Sequence, residues 1–340
     1  MIQKVKIDDA IGVPLAHAVT QVVPGRFKGQ AFSRGHIIKA EDIPVFRSLG
    51  KEHIYVLTLE EGEVHEEEAA QRIARAVAGS GFRMTKPREG RVSLIADREG
   101  LVKIHEAGLN QINMLGEMII STVHNHTVCK EGMTVAAMRI IPLSIRSQKL
   151  DEMEEIAQTY RPVITLAEMK YRNIGLIITG NEVFKGTIQD GFSPIVRKKV
   201  EAFGCTVSNQ AFAPDDPDFI ARTILQFQAA GSEVILCCSG MSVDPDDVTP
   251  EGIRRSGAQV VFYGLPVLPG AMFLYARLRQ TPILGLPACV LHASVTAFDV
   301  LFPRILTGEE LTFAGTRELG HGGLCLGCPV CAFPICPFGQ

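Results

Sequence analysis

Between residues 172 and 312 short, unbroken apolar runs alternate with helix-opening signals, and that rhythm leaves few folds open to the chain. Ile174 to Ile178 has no polar alternation, which marks a strand covered by helices on both faces. Val234 to Cys238, Val260 to Phe262 and Ile283-Leu284 are further runs of that kind. Ser193-Pro194 reads as an N-cap and first-turn proline ahead of Ile195, Val196, Val200 and Phe203, with Gly204 as the stop. Asp216-Pro217 opens a second helix, Thr249-Pro250-Glu251 a third that ends at Gly257, and a long helix is expected from about Leu291 to Leu306. Strand and helix in regular turn imply a three-layer α/β domain around an open, mostly parallel sheet. In such a sheet ligands bind at the carboxyl ends of the strands, so the loops there are where chemistry is expected.

The rest of the chain reads differently. With 340 residues there is room for more than one core, and 46% hydrophobic against 21% charged residues is a globular balance. Residues 1–60 alternate short apolar pieces with Gly and Pro, as in Val22-Val23-Pro24-Gly25, and suggest a small β-rich barrel or clip. Residues 61–171 form a mixed α+β segment. In it Ala69, Ile73, Ala76 and Val77 share a helix face that stops near Gly79, and strands are expected at Val92 to Ala96, Ile119 to Val123 and Val135 to Ile141. A helix is expected near Gln111 to Glu117, and a polar helix from Gln148 to Gln158 is read as leading outward into a connector over 150–171. Residues 172–312 are the α/β domain and 313–340 a cysteine-rich tail.

Three loops follow expected strands, and each sets small residues beside carboxylates. They are Thr179-Gly180-Asn181-Glu182 with Gly186 to Asp190, then Pro214-Asp215-Asp216, then Ser239-Gly240-Met241-Ser242-Val243-Asp244-Pro245-Asp246-Asp247. Small residues permit close backbone approach, and free amides at helix starts hold phosphate oxygens. Acids beside a phosphate repel it unless a cation such as magnesium lies between, so the pattern points to a phosphorylated ligand held with a metal. Capping accounts for Asp216 and Thr249, but Asp215, Asp244, Asp246 and Asp247 exceed what caps require. Spacing alone does not name the ligand.

Taken together, residues 172–312 resemble the molybdopterin-binding domain shared by molybdopterin adenylyltransferases and molybdopterin molybdenumtransferases. Gly175 to Glu182 resembles that family's opening strand and its Thr-Gly-Asp/Asn-Glu loop, and Pro214-Asp215-Asp216 its acidic helix entrance. Ser239 to Val243 resembles a Gly-Gly-x-Ser-x loop with the first glycine replaced, and Asp247 to Glu251 an Asp-Val-Thr-Pro-Glu stretch. The resemblance implies that Asp247 and Asp215 are the catalytic acids. It implies a ligand cleft lined by Thr179, Gly180, Asn181, Glu182, Asp190, Ser239, Gly240, Ser242, Asp244, Pro269 and Gly270. It also implies molybdopterin or its adenylate as ligand, with magnesium and molybdate, a role in molybdenum insertion, a homodimer, and an assembly enzyme or molybdoenzyme as partner.

The chain departs from that pattern at three places. Pro269-Gly270-Ala271-Met272 stands where the molybdenumtransferases carry Pro-Gly-Lys-Pro, and Leu286-Pro287-Ala288-Cys289-Val290 where they carry Leu-Pro-Gly-Asn-Pro. Their N-terminal Asp-Gly-Tyr-Ala motif is absent. Loss of a lysine favours pterin binding over catalysis, so a non-catalytic carrier or sensor of the pterin is the alternative. A sister family, the competence and damage-inducible proteins, hydrolyses pyrophosphates and shares Asp246-Asp247-Val248-Thr249, but its Gly-Leu-Gly-Pro-Thr lead-in is missing here.

Nine cysteines without an apolar leader over Met1 to Asp9 argue for a reducing, cytoplasmic setting rather than a disulfide framework. Cys129, Cys205, Cys237, Cys238 and Cys289 read as core. Cys325, Cys328, Cys331 and Cys336 are separated by two, two and four residues. That pattern suits tetrahedral zinc or an iron–sulfur cluster, with redox or unliganded thiols as alternatives and contact with molybdenum or sulfur during transfer as a further one. His124-Asn125-His126 near Cys129 lacks a further ligand at readable spacing and is taken as a strand end or turn. The Glu63 to Glu68 run reads as a solvated first helical turn, and Gly25 to Gly29 as a turn between strands. A net charge of -3 and the lack of a basic stripe exclude nucleic acid, and no apolar run is long enough to span a membrane.

Overall fold

A computed structural model describes residues 2–23 and 25–339; Met1, Pro24 of the first Gly/Pro-punctuated piece, and Gln340 lie outside the described residues. The chain divides into two units, Met1–Asn125 with Cys129–Leu166, and His126–Val128 with Ala167–Gln340.

The first unit holds two cores. Strands Ile2–Lys6 and His53–Leu57 pair antiparallel, as do Val19–Val23 and Phe27–Phe32, each pair forming its own two-stranded sheet. Ile7, Leu15, Ile38, Phe46 and Ile54 fill the centre, and Phe32 stacks on Phe46 at 4.3 Å. The second core lies under helix Glu66–Val77, which buries Ala69, Ala70, Ile73, Ala74 and Val77; the run expected as a solvated first turn divides, with Glu63–His65 a strand, Glu66 buried, and Glu67 and Glu68 completing the turn's acids. A four-stranded sheet, in the order Phe82–Met84, Arg91–Ala96, Thr134–Ile140, Met118–Thr122, contributes to the same core.

Two expectations shift in this unit. The helix placed near Gln111 is Glu106–Met114, because the His105 ring accepts the Gly108 N–H at 3.2 Å and so starts the helix earlier. Helix Ser147–Thr159 does not lead outward: Leu150, Met153 and Ala157 recur at helical spacing within a polar stretch and are buried in the core.

The second unit carries, in chain order, β1 (Asn173–Thr179), α1 (Asn181–Phe184), α2 (Phe192–Glu201), β2 (Thr206–Ala213), α3 (Pro217–Ala229) and β3 (Val234–Cys238). There follow α4 (Thr249–Arg255), β4 (Gln259–Tyr263), β5 (Leu274–Leu278), β6 (Thr281–Leu286) and α5 (Ala297–Leu306). The sheet order is β2-β1-β3-β6-β5-β4. β2, β1, β3 and β6 run parallel, and only β5 runs against its neighbours β6 and β4. On one face Ile177, Ile235, Cys237 and Ile283 meet Ile220, Ile224 and Phe227 of α3 and Ile253 of α4. On the other, α2 packs on β1 and β2 and is joined to α5 through Phe203 and Phe302, ring centres 5.7 Å apart, and through Lys199 Nζ to Asp299 at 2.6 Å. This is the three-layer, mostly parallel α/β architecture that the apolar runs imply. Each fully buried Ile or Leu of the sheet contributes about 1.5–3 kcal/mol.

Helix starts correct the reading in three places. α2 begins at Phe192, and Asp190 Oδ1 accepts the N–H groups of Phe192 at 2.8 Å and Ser193 at 3.1 Å, so Ser193 and Pro194 fall inside the first turn. The carboxylate is the better acceptor, and the Ser193 hydroxyl instead accepts from Gln210 Nε2 at 2.8 Å. Thr249 does not cap α4, because its hydroxyl is engaged across the sheet edge. The long helix is two elements, a turn at Ala288–Leu291 and then α5, whose start is sealed by a Thr296–Asp299 capping box. Asp216 caps α3 as expected, accepting from Asp218 N and Phe219 N.

After β1 the chain crosses to β2 on one side, and after β3 it moves to β4 on the other. The connections diverge at the carboxyl ends of two adjacent parallel strands, β1 and β3, leaving a crevice there.

Candidate functional site

The crevice is built on a small knot of hydroxyls. Thr179, the last residue of β1, is 2% exposed, and its Oγ1 donates to the carbonyl of Cys238, the last residue of β3, at 3.0 Å. Thr249 Oγ1 lies 2.9 Å from the same atom. With the Thr179 proton committed to Cys238, Thr249 is the donor, and the start of α4 is tied to both strand ends. Gly240 passes over this knot at φ 61°, where a Cβ would stand 2.5 Å from Thr249 Oγ1 and 3.2 Å from Thr179 Oγ1. Only glycine fits. Ser239, which replaces the first glycine of the resembled loop, is held at φ 80°, a left-handed conformation costing on the order of 1–3 kcal/mol for such a residue. Its N–H donates to Leu286 O at 3.0 Å, which keeps the loop seated on β6.

Acids ring this knot. Gly180 N–H donates to Ala213 O at 3.1 Å, and Asn181 N–H to Asp215 Oδ2 at 2.9 Å, so the β1 and β2 loops are clasped together. Burial raises the pKa of Asp215, the Asn181 amide opposes that, and the charges of Glu182, Asp246 and Asp247 raise it further. Four carboxylates from three loops therefore share one field. Asp247 Oδ2 accepts the Ser242 N–H at 2.9 Å, and Asp247 N–H donates to Asp244 O at 3.0 Å, folding 242–247 into a tight loop.

Tyr263, which sequence reasoning missed, closes the side of the crevice toward β4. Its hydroxyl donates to Met241 O at 2.6 Å, and burial followed by the charge of Asp247 raises its pKa. The available signal was its place at the carboxyl end of a strand, the same rule that singled out Thr179 and Ser239.

The structure thus gathers Thr179, Gly180, Asn181, Glu182, Asp215, Ser239, Gly240, Ser242 and Asp247 at one edge. Asp244 contributes its carbonyl to the loop, and Asp190 spends one carboxylate oxygen on capping α2. Pro269 and Gly270 lie in the loop joining β4 to β5; Pro269 O accepts from Ala297 N at 3.0 Å, and a Cβ on Gly270 would stand 2.6 Å from Ala297 Cβ. Their role here is to brace the start of α5.

Among the described residues no three His, Cys, Asp or Glu side chains gather closely enough to hold one metal ion. The acids are not a ready magnesium cage, because Asp215, Asp247 and Asp190 each turn an oxygen to a loop or helix amide instead of to a common point. Cys325, Cys328, Cys331 and Cys336 line a separate cavity beside Pro269 and His292. Of the five scattered cysteines, Cys129, Cys205, Cys237 and Cys238 are buried, and Cys289 is partly exposed at a turn. Asn125 pairs with both backbone groups of Ile104, in keeping with a turn at 124–126.

Residues 175–307 match the family model described as a probable molybdopterin binding domain, and residues 4–58 match one described as a domain of unknown function. The molybdopterin molybdenumtransferase of Synechococcus elongatus is 27% identical over 175 residues, which are 48% of this chain and 43% of that protein. The enzyme of the same name from Haemophilus influenzae is 27% identical over 43% of this chain and 38% of its own length. The chain thus spans less than half the length of these curated relatives. A CinA-like protein of Desulfosudis oleivorans is 32% identical over 24% of this chain and 19% of its own. Among solved structures, the molybdopterin biosynthesis enzyme MoaB of Thermus thermophilus is 21% identical, covering 41% of this chain and 98% of its own, with a TM-score of 0.34. Among the described residues no helix is long and apolar enough to cross a membrane.

Proposed function

We propose, from the premise that residues 175–307 are a molybdopterin-binding domain, that the crevice at the carboxyl ends of β1 and β3 binds molybdopterin or its adenylate and serves molybdenum insertion in cofactor biosynthesis. The observation that carries this reading is the Thr179–Cys238–Thr249 knot under Gly240, where a side-chain-free backbone meets four carboxylates. Joining a pterin dithiol to molybdate forms two Mo–S bonds and releases two oxygens as water, which consumes two protons beyond those of the thiols. Asp215, whose burial and acidic neighbours favour its protonated form, is suited to deliver one of them. Asp247, held by the Ser242 amide, is suited to orient the reacting group. No step is assigned to magnesium.

The second reading, a carrier or sensor of the pterin, is favoured by one specific feature. Ala271 stands where a lysine would neutralise a phosphate, and Ala288-Cys289-Val290 replaces a second glycine-containing turn.

The test is anaerobic purification followed by oxidation of bound pterin to its fluorescent form. Asp215→Ala with Asp247→Ala is expected to lower the pterin signal at least ~10-fold, a loss of about 1.4 kcal/mol. Unchanged pterin in the double variant overturns the site assignment. For insertion, turnover of adenylated molybdopterin with molybdate is expected to fall ~100-fold in Asp247→Ala. A native chain that retains pterin without turnover establishes the carrier reading instead.

A further inference from the structure

The C-terminal segment is a built part of the second unit. Leu268 N–H donates to Gly323 O at 2.7 Å and Cys325 N–H to Leu268 O at 2.8 Å, so the segment pairs with the loop that follows β4. Gly339 N–H donates to Gly322 O at 3.0 Å, closing residues 322–339 into a loop. Two glycines seat it: a Cβ on Gly323 would lie 2.4 Å from both Leu319 O and Pro266 O, and one on Gly339 2.6 Å from Val300 Cγ2.

Inside the loop, Cys325, Cys328, Cys331 and Cys336 line one cavity of about 330 Å³. Val295, Leu324, Phe333 and Phe338 supply apolar wall, His292 and Ser294 the polar groups, and no Asp, Glu, Lys or Arg is among the lining residues. A hard cation has no oxygen cage there. Soft thiol ligands around a largely apolar cavity suit a thiophilic group instead.

The size of the cavity bears on the choice between one ion and many. A single tetrahedral zinc draws its four sulfurs to roughly 3.8 Å of one another, from bonds of about 2.3 Å. All four cysteines line a cavity of about 330 Å³, which has room for a body larger than one ion. A polynuclear cluster fits a space of that size. Three cysteines at two-residue gaps, followed by Cys336-Pro337, resemble the bacterial four-iron run, with four residues instead of three in the last gap; the fourth cysteine of that run serves a second cluster, and this sequence has no second run of the kind, which leaves Cys336 to complete the first.

We propose that Cys325, Cys328, Cys331 and Cys336 together ligate one four-iron, four-sulfide cluster in this cavity. Transfer from a preformed thiolate cluster is a simple exchange. Each cysteine thiol forms an Fe–S bond as one small thiolate leaves, and the cysteine proton passes to the departing thiolate. Iron and sulfide keep their oxidation states.

The test is the full chain purified without oxygen, then incubated with a preformed synthetic four-iron cluster capped by small thiolates and desalted. The expected result is about four iron and four acid-labile sulfide per chain, with visible charge-transfer absorption and a paramagnetic resonance signal on reduction. Cys328→Ser with Cys331→Ser changes two exposed thiols, so the fold is expected to persist, checked by an unchanged thermal transition, while iron and sulfide fall at least ~5-fold. Iron and sulfide retained by that folded double variant overturn the proposal. So does a native chain that takes up one zinc per chain and no cluster. Pterin retention in the same variants keeps this outcome separate from that of the crevice.

Discussion

The crevice at the sheet edge and the thiol cavity of the C-terminal loop are both assembled from irregular backbone, yet opposite forces hold them. In the crevice, hydrogen bonds between loops keep carboxylates close together against their mutual repulsion; Asp215 is clasped by Asn181 while Glu182, Asp246 and Asp247 press on it. In the thiol cavity no charge opposes assembly, and the loop is seated by close-packed glycines and a few backbone bonds. The first stores electrostatic tension. The second is a frame whose lining carries no carboxylate.

The largest expected effect breaks the crevice alone. Gly240→Val adds a branched side chain at φ 61° above Thr249 and Thr179, and at least ~3 kcal/mol of stability is expected to be lost in denaturant unfolding, together with bound pterin. Next, Gly323→Ala places a methyl 2.4 Å from two carbonyl oxygens and is expected to cost about 1–3 kcal/mol by loosening the C-terminal loop. Cluster uptake falls in that variant while pterin retention holds; loss of both together contradicts the independence of the two sites.

The smallest effect sharpens the electrostatic half of the contrast. Asp215 has a raised pKa, so its favourable contribution is full below the ordinary aspartate range and disappears as pH rises through the raised value. Asp215→Asn keeps an acceptor for the Asn181 amide and sheds the repelled charge. It is therefore expected to stabilise the fold at neutral pH, on the order of a few tenths of a kcal/mol after solvent screening, while weakening function. Asp216, next door, behaves in the opposite sense. Its pKa is lowered by the Phe219 and Asp218 amides that it caps, so its contribution is present above the ordinary range and lost as pH falls through the lowered value. Carbon NMR titration of the two carboxyls is expected to place Asp215 above and Asp216 below an ordinary aspartate; the reverse order refutes the burial argument.

Asp216 was legible from sequence because an Asp-Pro pair ahead of a periodic run uses only local geometry. Ser193 and Thr249 misled for the complementary reason. Each was a plausible local cap, but an Asp190 carboxylate took over the first helix and the Thr179 hydroxyl drew Thr249 across the sheet edge. β5 escaped notice because Arg277 interrupts Leu274–Leu278, which therefore lacks the unbroken apolar run that marks β1 and β3. Tyr263 escaped because a lone tyrosine at a strand end has no motif around it.

The sequence by itself determined the class of the second unit, since unbroken apolar runs joined by capped helices have few ways to bury both faces of every strand. It also set which loops carry acids and where the four thiols crowd together. Tertiary structure alone decided that the β1 and β3 ends are neighbours, that Thr249 serves that junction, and that Asp215 feels three other carboxylates. Those relations join residues 31 to 70 positions apart, whose proximity depends on strand order, and strand order follows from how the whole sheet packs between its helices rather than from any local signal.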